Sequence, residues 1–428
     1  MARSTLAVAT FFAVVLAASA SAEEGTCDAK TGICKGVPGA PHGGTLVNLV
    51  ASASKQAELL SKVGATVELS ERQACDVALM QYGGFSPLTG FMKKGDYESV
   101  VEKMRLESGV LMGLPVILDV TDPSIEGKMV KLTYKGTTMA VMLAEEVYKP
   151  NKVKEAKMCY GTSSTEHPST VELFAELGKY YVGGPVYGFL EGFEGIWGSG
   201  FKTPAEVRAT LPKGKEVVAF QNRNPVHKAH FELLVEAQKD IKDSIIFVHP
   251  TCGPTQPGDI DGPTRIKTYE VLQTEEGYKK WAGENFRWAY LPYSMKMAGP
   301  REAIQHMIIR KNFGATYFII GRDMAGTKST LTSDDFYGAF EAQDKGKEHS
   351  EELGVKVASY PNMVYVGEKG NERGYAPDTK AKEMGIKPQK LSGTEFRKRL
   401  RSGEEIPEWF AFPKVVKVLR DGGDKIFL

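Results

Sequence analysis

The sequence predicts an α/β fold in two successive domains, and its rhythm gives the reason. From about Gly214 onward, short apolar runs alternate with helical stretches, the pattern of a parallel sheet covered on both faces. Before that point the β-prone runs are broken by Gly and Pro. That half reads as a mixed, strand-rich domain closing as a small barrel. At 428 residues the chain is too long for one ordinary core.

The elements follow in order. Residues 116–120, 130–134 and 139–143 read as strands, and 96–106 as a helix through Tyr97, Val100, Val101 and Met104. Residues 202–212 read as a helix and connector. Beyond it come a strand at 217–220, a helix from Pro225 to about Lys239, and strands at 244–248 and 289–293. A helix at 300–313 closed by Gly314 and a strand at 316–320 complete the set. The tail is helical: Ser392 with Glu395 forms a capping-box pattern before 396–400, and 413–419 reads as a last helix. The predicted organisation is a targeting segment at 1–22, a linker or second targeting element at 23–44, and a strand-rich domain at 45–200. A sheet-and-helix domain at 201–390 and a small helical region at 391–428 follow.

Apolar residues make up 42 % and charged residues 25 %, a globular balance. Net charge is +1, so no global field draws the chain to nucleic acid or membrane, and any anion site must be local. The N-terminus has Arg3, an apolar run at 6–18 and the small-x-small pattern Ala20-Ser21-Ala22, a secretory-type signal. The run is shorter than the roughly 20 residues a membrane span needs, and a retained anchor is the alternative. Of five cysteines, only Cys27 and Cys34 are close in sequence, which argues against a disulfide scaffold. Cys75, Cys159 and Cys252 read as core or free thiols.

The chemistry concentrates in Gln221-Asn222-Arg223-Asn224-Pro225-Val226-His227-Lys228-Ala229-His230. The segment follows an apolar strand and opens a helix, with Asn224 suited to the N-cap and Pro225 to the first turn. Free N–H groups then leave the carboxyl edge of the sheet as a phosphate site. His227 and His230, three apart, share a face. Arg223 can grip a tetrahedral anion with two donors, and Gln221 adds an amide. Such a strip suits attack at a nucleotide α-phosphorus, where each fixed donor contributes about 3 kcal/mol to the transition state. Two His at this spacing also occur in zinc sites, but no acidic or Cys ligand lies at motif spacing.

Gly321-Arg322-Asp323-Met324-Ala325-Gly326-Thr327-Lys328-Ser329 also follows a strand. It nearly matches a P-loop, but Thr327 displaces Lys328 by one position. It reads better as a Gly-bracketed loop that offers backbone N–H groups and Arg322 to a nucleotide. Pro300 with Arg301 marks a further helix N-terminus as an anion candidate. Arg265 and Lys267 read either as phosphate contacts or as surface charges. His306 reads as structural and His249 as a weak candidate.

Together these motifs resemble the ATP sulfurylase (sulfate adenylyltransferase) family. The resemblance rests on Gln-x-Arg-Asn-Pro-x-His-x-x-His, Ala298-Gly-Pro-Arg-Glu-Ala303, Gly321-Arg-Asp-Met-Ala-Gly326 and Leu391-Ser-Gly-Thr-Glu-Phe-Arg397. Gly83-Gly-Phe-Ser-Pro-Leu-Thr-Gly-Phe91 and Tyr181-Val-Gly-Gly-Pro185 add to it. It spans roughly Leu46 to the C-terminus. It implies a PUA-like barrel domain before a Rossmann-like nucleotidyltransferase domain, and sulfate attack on MgATP to give adenosine 5′-phosphosulfate and pyrophosphate. It implies ATP contacts at Gln221, Asn222, Arg223, Asn224, Gly321, Arg322, Asp323, Met324 and Val364. Sulfate contacts fall at Gln221, Arg223 and the Ala325 N–H. Asn222, Arg223, Asn224, His227 and His230 would be catalytic. Mg2+ arrives with ATP, and no protein-bound metal is expected. Met324 departs from the family, many of whose members have His or Pro there.

The alternatives are a P-loop kinase or NTPase on 321–329, a non-catalytic nucleotide- or RNA-binding protein, and a zinc hydrolase. No room for a kinase domain follows Leu428, so a fused kinase step is not expected. ATP and sulfate are the expected partners, with no nucleic acid and no membrane, in a homo-oligomer. A signal followed by a linker suggests a plastid reached through the secretory route. The secretory pathway itself, or anchoring by an uncleaved signal, is the alternative.

Overall fold

The computed structural model describes residues 39–427. The expected signal and the Cys27 and Cys34 positions lie outside that range. The chain enters it already packed: buried His42 donates its backbone N–H to Asn312 (2.8 Å), and its ring bonds the Leu111 carbonyl (2.7 Å).

Among the described residues the first half builds a seven-stranded mixed sheet. Its strands are β1 (Val63–Glu68), β2 (Gly90–Phe91), β3 (Leu118–Val120), β4 (Met129–Tyr134), β5 (Thr137–Leu143), β6 (Glu146–Tyr148) and β7 (Tyr180–Gly188). β7 is the spine, pairing with β2, β3, β5 and β6. It does so by turning at Gly184, whose φ of +147° and close neighbours exclude a side chain. A Cβ there would sit 2.0 Å from the Leu143 carbonyl oxygen. The Gly-Gly pair of the sequence is thus a crossing point between strands.

The second half is a five-stranded, fully parallel sheet. Its strands are β8 (Val217–Phe220), β9 (Ile245–Val248), β10 (Phe286–Trp288), β11 (Tyr317–Ile319) and β12 (Lys356–Ala358), in the spatial order β10-β9-β8-β11-β12. That is the doubly wound arrangement, with the order reversing between β8 and β11. β8 and β9 are buried at every position, as strands covered on both faces should be. A hairpin of β13 (Met363–Tyr365) and β14 (Tyr375–Pro377) follows, then helices Gly393–Ser402 and Pro413–Gly422.

Three expectations are corrected. The strand expected at 289–293 lies at Phe286–Trp288, and Leu291 makes only an isolated bridge to Thr251. Pro250 in the facing chain and Pro292 remove the donors a ladder needs there. The helix expected from Pro225 starts at Lys228, for a reason that belongs to the site below. Half of the Ser392 capping box forms: Ser392 accepts from the Glu395 N–H (3.1 Å), while the Glu395 carboxylate pairs with Arg399 instead.

The two halves are joined by buried polar contacts. Arg301 donates to the carbonyls of Gly113 (2.9 Å), Val101 (2.8 Å), Met158 (3.1 Å) and Val100. Arg72 reaches across to Ser294, Met295 and Thr255, and Arg105 grips Glu352 with two donors (2.5 and 2.9 Å). Replacing Arg301 by Met takes the guanidinium donors from four carbonyls of the first domain, of which Val100 keeps a second donor, the Met104 N–H (2.9 Å). Arg301→Met should therefore destabilise the fold by roughly 3 kcal/mol, seen as a lower urea midpoint. An unchanged midpoint would show that water replaces the guanidinium.

Candidate active site

The site grows from the two strands at the order reversal. β8 and β11 are adjacent, with Phe220 opposite Ile319, so the loops after them leave the sheet side by side. The two motif-bearing loops of the sequence, 221–230 and 321–329, thus follow neighbouring strands.

The loop after β8 is held open rather than wound into helix. Asn222 Oδ1 accepts from the Asn224 N–H (3.0 Å), an Asx turn. The Asn224 carbonyl takes the Tyr269 hydroxyl (2.8 Å), and the Arg223 carbonyl takes Arg265 Nη1 (3.1 Å). With these carbonyls engaged, His227 becomes the N-cap, in extended conformation, and Asn224 and Pro225 stay outside the helix Lys228–Asp240. The Lys228 N–H meets the Phe410 carbonyl (3.1 Å), while those of Ala229 and His230 meet no protein acceptor. The free N–H groups expected at this helix end are present, three residues later than expected.

Gln221 Nε2 rests on the Met295 sulfur (3.3 Å). Asn222 is buried with Nδ2 unpartnered. Arg223 pairs with Asp259 through Nη1. His227 and His230 stack at 3.8 Å, and Phe410 stacks on His227 at 5.4 Å. Both Nδ1 atoms are enclosed without a partner. Desolvation lowers His227 to about 4 and His230 well below its ordinary value, the latter helped by its neighbour. The pair is neutral at neutral pH.

In the loop after β11, Asp323 (φ +56°) and Ala325 (φ +52°) hold left-handed conformations. The Ala325 carbonyl accepts from Gly299 (3.0 Å), and its N–H has no protein acceptor. Arg322 is exposed, paired with Asp323 and lying over Phe340. Met324 lines a small recess with Pro300 and Tyr337.

Two cavities flank His227. One, of about 790 Å3, is lined by His227, Arg322, Val364, Tyr365, Trp409 and Phe410. Tyr365 and Trp409 stack there at 5.2 Å, nearly parallel. The other, of about 370 Å3, is lined by Asn224, His227, His230, Asp259, Arg397 and Phe410. His227 forms the wall between them. The structure thus brings Arg322 and Val364 together with His227. Gln221, Asn222, Arg223 and Ala325 lie in the adjoining loops, and Met324 lines neither cavity.

Other candidates resolve differently. The helix Gly299–Asn312 is not an anion site: Glu302 fills its N-terminus, accepting from the N–H groups of Lys296 and Ala298, and Arg301 turns to the first domain. Arg265 is fully buried, so neither a phosphate contact nor a surface charge. Lys328 is exposed and pairs with Asp335 (2.7 Å), and no helix follows until Glu341–Glu348, so the P-loop reading falls. His249 and His306 are core groups around buried Arg310. Asp259, Trp409 and Phe410 were missed. The aromatic run Trp409-Phe410-Ala411-Phe412 was the available signal.

Stacked neutral histidines at a parallel-sheet switch point, beside two loops with free N–H groups, define a nucleotide-handling α/β enzyme. The family model described as ATP-sulfurylase matches residues 199–422, and that described as PUA-like domain matches 39–190. A sulfate adenylyltransferase of Phaeosphaeria nodorum is 42 % identical over 89 % of this chain and 67 % of its own length. One of Kluyveromyces lactis is 40 % identical over 89 % of this chain and 76 % of its own. A solved structure titled hexameric APS kinase from Thiobacillus denitrificans superposes with a TM-score of 0.68 at 25 % identity. It covers 89 % of this chain and 68 % of that one. The chain belongs to the ATP-sulfurylase family, and its two halves are the PUA-like and Rossmann-like nucleotidyltransferase domains.

The neutral histidines set an acid limit on stability. His227 binds a proton near pH 6.5 when unfolded and only near 4 when folded, so its contribution is complete above 6.5 and lost as pH falls toward 4. His42 and His167 behave alike. His227→Gln should flatten the fall in Tm between pH 6.5 and 4; an unchanged slope would mean that His227 is already charged.

Proposed function

We infer that this chain is a sulfate adenylyltransferase that transfers the adenylyl group of MgATP to sulfate. A sulfate oxygen attacks the α-phosphorus, and the bond from that phosphorus to the bridging oxygen breaks. The electron pair leaves with pyrophosphate. No proton has to move, and no protein nucleophile is needed. The observation that carries the reading is the departure of the two motif loops from neighbouring strands at the switch point.

In this reading Arg223, with Gln221 and the Ala325 N–H, holds sulfate. Gln221, Asn222, Arg223, Asn224, the 321–324 backbone and Val364 hold ATP, and the Tyr365–Trp409 platform supports placing the base in the larger cavity. His227 and His230 donate to the developing phosphate charge as neutral rings. Magnesium enters as part of the nucleotide substrate. Among the described residues no three His, Cys, Asp or Glu side chains converge as a metal set. Met324 lines neither cavity, which supports contact through backbone there.

The chain assembles as a homo-oligomer in this reading, which the hexameric structural neighbour supports. Among the described residues no helix is long and apolar enough to cross a membrane. Delivery to a plastid through the N-terminal signal is the proposed localisation; a reporter fused to residues 1–44 tests it, and purely extracellular reporter would contradict it.

The enzymatic test is pyrophosphate release from MgATP with and without sulfate. Release should depend on sulfate, vanish in Arg223→Ala, and fall about 100-fold or more in His230→Ala. Equal release without sulfate would mean a different acceptor.

A further inference from the structure

The ion pair between Arg223 and Asp259 engages one end of the guanidinium only. Nη1 donates to Asp259 Oδ2, while Nε and Nη2 have no protein acceptor. The side chains keep 21 % and 10 % of their exposure, so bulk water screens the pair less than a surface bridge. Asp259 is itself fixed. Its loop turns at Gly258 (φ +85°), and its N–H donates to the Gln256 carbonyl (3.2 Å). Two residues on, the Asp261 N–H donates to Ile426 (2.7 Å), and Asp261 caps the helix Gly262–Leu272 through the Thr264 N–H (2.9 Å). That same helix carries Arg265, which holds the Arg223 carbonyl. One segment, 259–265, therefore grips Arg223 at both backbone and side chain.

We propose that Asp259 is a positioning residue for the oxyanion: it pins Nη1 of Arg223 so that the Nε–Nη2 edge stands free as a two-donor fork. The inference deepens the proposed function and rests on Arg223 as the sulfate-holding residue. A guanidinium on a free side chain loses rotamer freedom when it captures an anion, whereas one already pinned by a carboxylate has lost it in folding. The paired edge is also the one a tetrahedral anion cannot share, so sulfate approaches in one orientation. Asp259 lines the smaller cavity with His227 and His230, which sets the Arg223–Asp259 pair beside the stacked histidines.

The test compares the wild-type chain with Asp259→Ala and Asp259→Asn, varying sulfate at saturating MgATP and MgATP at saturating sulfate. Asp259→Ala should raise the sulfate KM about tenfold, the MgATP KM by less, and leave Tm unchanged. Asp259→Asn keeps an oxygen for Nη1 and should recover most of the loss. An unchanged sulfate KM in Asp259→Ala, or a Tm loss with both KM values moving together, overturns the assignment. If the wild-type chain itself shows no sulfate-dependent release, the functional reading fails and the Asp259 role falls with it. If the wild type is active and Asp259→Ala matches it, the Asp259 role alone fails.

Discussion

Arg265 ties together the loops on which the site stands. Its guanidinium is wholly buried and donates to the carbonyls of Arg223 (3.1 Å), Thr251 (3.2 Å) and Gly253 (2.8 Å). Among the described residues it makes no ion pair. Burying an unpaired cation costs several kcal/mol, and each hydrogen bond to a charged group returns about 1.5–3 kcal/mol. The arrangement holds because three carbonyls that would otherwise be orphaned converge on it. Without it the Arg223 carbonyl loses its donor, and only the Asn222 turn and the Tyr269 hydroxyl hold the loop after β8 out of the helix.

A second constraint is neutrality. His227 and His230 stack with Phe410, and Phe220 packs tilted against His230 on the other side. Burial keeps both rings uncharged at neutral pH. The positive charge lining the two cavities is carried by Arg322, Lys382, Lys390 and Arg397. The C-terminal segment takes part directly, because Phe410 contributes both a ring to the stack and a carbonyl to the helix start.

Much of this was legible in the sequence. Val217–Phe220 reads directly because four buried apolar residues precede a turn, and the 221–230 and 321–326 loops follow from their place after strands. The helix start was misread because Asn224 and Pro225 fit an N-terminus locally, while Tyr269 and Arg265, distant in sequence, decide it. Arg301 looked like an anion ligand for a similar reason: its carbonyl acceptors belong to the other domain. Asp259 sits in a Gly- and Pro-rich loop that carries no periodic signal. Its partner, 36 residues away, is visible only in three dimensions.

The most direct measurement uses sulfate labelled with 18O at all four oxygens, MgATP and pyrophosphatase, with the nucleotide product analysed by mass. Attack by sulfate at the α-phosphorus predicts adenosine 5′-phosphosulfate that retains all four labels, one of them bridging sulfur and phosphorus. Loss of a label to pyrophosphate, or release of unlabelled AMP alone, would contradict direct adenylyl transfer at the site between β8 and β11.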